Sequence, residues 1–166
     1  MPNELERLRD QIRNAFPADA FYGRVTACPC EECKGIIQAL QRRSWEEIPP
    51  EFIDLTCSPT LLEAEAFRSF LPAYLMRALG DLVGDNVVLE FTVYSLCPAG
   101  SEDGDTPATT SHGMPSGDRL LIERARLMSQ AQVAAIRGFL SFVNEHSAKG
   151  PWLRPCIGAS LETVWR

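Results

Sequence analysis

Residues Leu61 to Gly80 leave this chain little freedom in choosing a fold. Within that stretch Phe67, Phe70, Leu71, Tyr74, Leu75, Ala78 and Leu79 recur at steps of three and four, the spacing that gathers side chains on one side of a helix. A side that apolar has to be buried by the rest of the chain. Pro72 interrupts the run. Its ring clashes with the preceding turn and it carries no N–H, so the stretch is predicted as two helices meeting at Pro72, or one kinked helix, with Pro72 at the first position of the second part. Gly80 ends it as a C-cap.

The remaining segments read as packing around these helices. Asn3 and Glu6 have the spacing of an N-terminal cap, and Leu5, Leu8, Ile12 and Phe16 follow at helical steps until Pro17 stops them. Phe21 to Ala27 is a connector with some strand character. Glu31 to Arg43 is predicted helical: Cys33, Ile36, Ile37 and Leu40 share a face, with acids at the positive end and arginines at the negative end. Ser44-Trp45-Glu46-Glu47 is a capping box ahead of a short helix limited by Pro49-Pro50. Ser129 and Gln132 form another, opening a helix whose Val133, Ile136, Leu140 and Val143 stripe is expected to pack directly on the central pair. Gly150-Pro151 is expected to close it. A short final helix with Trp152, Leu161, Val164 and Trp165 then docks on the core, and all three tryptophans are assigned to packing.

Two segments are set apart. Asn86 to Leu96 is β-branched and aromatic with a Leu89, Phe91, Val93 alternation that favours a strand, while Asp85 would cap a helix and few other segments could pair with a strand. Pro98 to Asp118 is Gly, Pro, Ser, Thr and acid without apolar periodicity, and is expected to be a flexible loop.

At 166 residues and 45% hydrophobic composition the chain can bury one core. The expectation is a mainly α, single domain over residues 1–166: a bundle of about five to seven helices with one long polar loop. Sixteen basic against 22 acidic residues give a net charge of −6, which disfavours nucleic acid and anionic membranes and points to a basic protein partner. No apolar run approaches the roughly 20 residues of a membrane helix, and Met1 to Arg7 lacks a signal peptide's apolar core. A cytoplasmic location is therefore expected, with the six cysteines as reduced thiols or metal ligands.

The order of W-E-E-I at Trp45–Ile48, F-R-S-F-L-P-A-Y-L at Phe67–Leu75, S-x-x-Q-x-x-A-I-x-x-F-L at Ser129–Leu140 and a tryptophan near the C-terminus resembles a family of small bacterial proteins of unknown function. Glu32-Cys33 ahead of the first tryptophan adds to the likeness. The resemblance spans nearly the whole chain, with 98–118 as an insertion. It implies an all-helical fold, residues 86–96 included, and a bacterial source. It implies no activity.

Cys28-Pro29-Cys30-Glu31-Glu32-Cys33 is the one constellation able to carry chemistry. A C-x-C-x-x-C spacing offers three thiolates from a loop and a first helical turn, and zinc needs four ligands in a tetrahedron. The fourth would come from Cys57, the nearest in sequence, or from Cys97, Cys156, His112 or His146. A thiol-redox pair at Cys30 and Cys33 is a competing use, opposed by the two intervening acids, which raise thiol pKa values. Small buried residues at a helix start are the plainest use. The histidines read as solvated bystanders. Glu46, Glu47, Glu51, Asp54, Glu63 and Glu65 form a candidate acidic face around the central helices. The chain thus reads as a non-catalytic protein-binding module, immunity- or antitoxin-like, covering a basic partner. The alternative is a small zinc- or thiol-dependent protein using the cysteine cluster.

Overall fold

The computed structural model describes residues 3–56, 58–80, 82–84, 87–98 and 118–166. Among the described residues the chain is helical throughout, with eight α-helices and two short 3-10 turns: α1 Glu4–Ala15, α2 Glu31–Leu40, α3 Pro50–Thr56, α4 Ala64–Ala78, α5 Val87–Ser95, α6 Asp118–Arg126, α7 Gln130–His146 and α8 Gly150–Thr163. The mainly α expectation is met. The expected loop at 98–118 lies almost wholly outside the described residues.

At the centre is α4. Pro72 neither splits nor ends it, and one helix runs from Ala64 to Ala78 with the proline inside. The residue costs one backbone bond to the carbonyl of Arg68, a loss opposed by burial on every side: Phe70, Leu71, Pro72, Ala73, Tyr74 and Leu75 are consecutive and all buried. A helical stretch apolar all round has to lie in the core. Leu79 caps its end, and Gly80 follows with its N–H on the Arg77 carbonyl at 3.1 Å. A Cβ at Gly80 would stand 3.2 Å from that carbonyl, which suits glycine there.

The covering helices are fixed by caps and a few polar ties. Asn3 accepts the Glu6 N–H at 2.9 Å to start α1. The expected capping boxes form at Ser44 with Glu47 and at Ser129 with Gln132. Trp45 is buried and donates its indole N–H to the Phe16 carbonyl at 3.2 Å, joining the turn before α3 to the end of α1. The Phe21–Ala27 connector forms no strand, although Phe21 exchanges backbone bonds with Arg42 and Arg43. Tyr74, buried in α4, shares a hydrogen bond of 3.0 Å with Thr56 at the end of α3.

Arg124 of α6 is buried, with no carboxylate partner among the described residues. Its Nη2 donates to the carbonyls of Thr60 and Leu62 at 2.8 Å each, and its guanidinium carbon lies 4.1 Å from the Phe67 ring centroid. The cation thereby closes the carbonyl end of the 3-10 turn Pro59–Leu61 and stacks that turn on α4, as cations do at helix C-termini. Its Nε has no hydrogen-bond partner among the described residues.

Residues 87–95 are helix, not strand. Val88, Leu89, Thr92 and Val93 are buried while Val87, Phe91 and Tyr94 are exposed, a helical spacing. The alternation of 89, 91 and 93 was a coincidence of composition, and no strand among the described residues could pair with it.

Three expectations at the C-terminal end are corrected. Ser147 caps α7, and Gly150-Pro151 opens α8, where Pro151 occupies the first turn that proline favours. The neighbours of α7 are chiefly α8 and α1, not α4. Trp152, expected in the core, is exposed, whereas Trp165 is fully buried and donates to the Leu96 carbonyl at 2.7 Å. Ser160 donates to the same oxygen.

The cysteines are not all thiols. Cys97, just past α5, is disulfide-bonded to Cys156 in α8, with Cα atoms 5.7 Å apart, within the range a disulfide spans. A separation of 59 residues gave no sign of it.

Two outcomes follow from this architecture. Phe70→Ala and Leu75→Ala each leave a cavity in the enclosed middle of α4 and should lower unfolding free energy by about 2–5 kcal/mol, read from denaturant midpoints. Replacing Cys97 and Cys156 together by alanine removes a long cross-link from the unfolded chain and should cost about 2–4 kcal/mol by the same measurement.

Candidate metal centre

Local sequence brings three sulfurs together at the start of α2. Cys30 is the N-cap residue, extended in backbone and without a side-chain cap bond, and its carbonyl accepts the Lys34 N–H at 3.0 Å as the helix begins. Cys33, one turn on, points inward on the face it shares with Ile36 and Leu40. Cys28 lies in the approach segment, where its N–H donates to Thr26 Oγ1 at 3.3 Å. The same hydroxyl stands 3.8 Å from Cys33 Sγ as its donor. Thr26 is thus buried against both ends of the motif, and the sequence reading missed it. A hydroxyl two residues ahead of the first cysteine was the available signal, because Ser and Thr commonly tie backbone N–H groups at that offset.

The sulfurs of Cys28, Cys30 and Cys33 lie within 4.8 Å of one another. Cys28 and Cys33 are buried and Cys30 is partly exposed, so the set opens outward on the Cys30 side. Burial, followed by hydrogen bonds with Cys30 and Cys28, pushes the Cys33 thiol up to about 12. As a thiol it stays protonated and is a poor nucleophile at neutral pH. As a metal ligand it would exchange its proton for a cation. Among the described residues no fourth His, Cys, Asp or Glu ligand atom joins the three within the same reach. Cys57 and His112 lie outside the described residues. Cys97 and Cys156 are bonded to each other and unavailable. His146 sits elsewhere, its Nε2 3.5 Å from Glu4 and its ring 4.3 Å from that of Phe142.

The six acids of the candidate acidic face are not equivalent. Asp54 takes a two-pronged contact from Arg77 at 2.7 and 2.9 Å, and Glu63 pairs with Arg24 at 3.1 Å. Glu47 closes the Ser44 capping box, whose backbone and hydroxyl donors hold its carboxyl below the usual range. Glu46, Glu51 and Glu65 are exposed and belong to no ion pair among the described residues.

No family model, curated protein or solved structure matches the chain. What the cluster can do therefore rests on its own geometry.

The raised Cys33 pKa has a definite sign in stability. The folded protein holds this proton more tightly than the unfolded chain, whose thiol titrates near ~8.5, so the contribution is complete below that pH and is lost as pH rises toward about 12. In metal-free protein, the stability difference between the parent and Cys33→Ala should therefore shrink through the alkaline range, as measured by denaturant unfolding at matched pH.

Proposed function

We propose that Cys28, Cys30 and Cys33 bind one soft metal cation, zinc in the first instance, and that the protein is a non-catalytic binding protein whose N-terminal region is pinned by this centre. The observation that carries the reading is the mutual approach of three sulfurs within 4.8 Å. Neighbouring sulfurs of a tetrahedral zinc thiolate stand about 3.8 Å apart, so a contraction of roughly 1 Å or less closes the set around an ion. Cys57 is the proposed fourth ligand. Thr26 orients Cys33 from outside the ligand set, as hydrogen-bonded neighbours of metal ligands do.

The disulfide bears on location. Bonds such as Cys97–Cys156 belong to oxidising compartments, and they weigh against the cytoplasmic location expected from the sequence. A thiol-redox role is less well supported, because Cys33 is fully buried and its thiol is held protonated. Among the described residues no helix is long and apolar enough to cross a membrane. A basic protein remains the proposed partner of the acidic face, now resting on Glu46, Glu51 and Glu65.

Metal analysis tests the centre. Purified protein should carry about one equivalent of zinc, and chelation should lower its melting temperature. Cys28→Ser and Cys33→Ser should each lose the metal, and affinity should fall as pH falls because protons compete for the sulfurs. Metal-free protein whose melting temperature ignores both zinc and chelator would reduce the cluster to packing.

A further inference from the structure

We propose that Val83, Val87, Phe91, Tyr94 and Trp152 form an apolar face on which a second copy of this chain docks. Large apolar side chains exposed singly are ordinary, but a group gathered on adjoining elements is not, and these five sit on elements that are tied to one another. Val87, Phe91 and Tyr94 follow one another at helical steps along the outer face of α5, exposed by 42%, 45% and 50%. Glu90 belongs to the same stripe and reaches across to Lys149 Nζ at 2.7 Å. Trp152, 84% exposed, stands one helical step beyond Lys149 at the start of α8. The Leu82 carbonyl accepts from Ala148 N–H and Ser147 Oγ, each at 3.3 Å, which brings Val83, 80% exposed, to the same corner. One ion pair ties α5 to the start of α8, and the two bonds on the Leu82 carbonyl bring the segment of Val83 to the same end of α8.

The face is large enough to matter. At ~150–250 Å² per aromatic side chain, the exposed fractions of Phe91, Tyr94 and Trp152 amount to about 300–400 Å², close to half of the ~800 Å² each partner contributes to a standard interface, before the valines and the rim are added. Charge selects the occupant. The chain carries a net −6, so two copies meeting through their acids would repel one another. Among the described residues the face carries one acid and one base, Glu90 and Lys149, paired with each other. Such a pair, set among aromatic anchors, complements its own copy across a two-fold axis, where each acid can meet the other copy's base.

Light scattering and sedimentation of the full chain, from micromolar to millimolar concentration, test the assignment. The expected result is a concentration-dependent rise from 18.4 kDa to twice that mass, held or strengthened by added salt. Trp152→Ser should weaken self-association by at least ~30-fold, the effect of losing an interface anchor, and Phe91→Ser should act in the same direction. Both variants should melt like the parent at concentrations where the parent is monomeric. A chain that stays monomeric throughout, a dimer indifferent to both substitutions, or one that dissolves in salt would overturn the proposal. None of these outcomes depends on the cysteine cluster.

Discussion

A helix whose middle has no face to spare for water is the demand that the whole molecule answers. From Phe70 to Leu75 every residue of α4 is buried, and a cylinder can be hidden only by neighbours on all sides. That one condition accounts for the number of short elements wrapped around it, since α1, α3, α5, α6 and both 3-10 turns all contact α4. Burial of this extent offsets the backbone bond lost at Pro72, which in a half-exposed helix would have produced the break that local rules anticipate.

Apolar packing has little directional preference, so the covering elements take their positions from polar ties. The Leu96 carbonyl accepts from both Ser160 and Trp165, fixing α8 against the end of α5. Arg124 gathers two backbone carbonyls of the segment leading into α4 and lies over Phe67. Removing the guanidinium would leave those acceptors buried without donors, a costlier fault than the lost contact itself. In both cases side chains on backbone carbonyls tie segments more than 60 residues apart in sequence.

Much of this was legible in the chain. Local signals were read correctly where they stayed local: the Asn3 cap, the boxes at Ser44 and Ser129, and the apolar periodicity of α1, α2 and α7. They failed where tertiary partners decide. Alternating Leu89, Phe91 and Val93 imitate a strand, and only the burial of Val88 and Thr92 settles the matter. Trp152 and Trp165 look alike in sequence, but one faces solvent and the other meets a carbonyl 69 residues away. The cysteine motif announced its three sulfurs. It could not announce Thr26, whose role depends on the bend that brings residues 26 and 33 together, nor could the count of six cysteines reveal that two of them pair.

The Cys97–Cys156 bond also changes the connectivity of the chain. It closes a ring that contains residues 98–155, with α6 and α7 as its members and α8 crossing the point of closure. A single peptide bond cut between 99 and 117 would open that ring without dividing the molecule. Both pieces would stay covalently joined, moving as one species on a non-reducing gel and separating only after reduction. Proteolytic nicking of this segment would therefore lose no piece of the chain until a reductant is added.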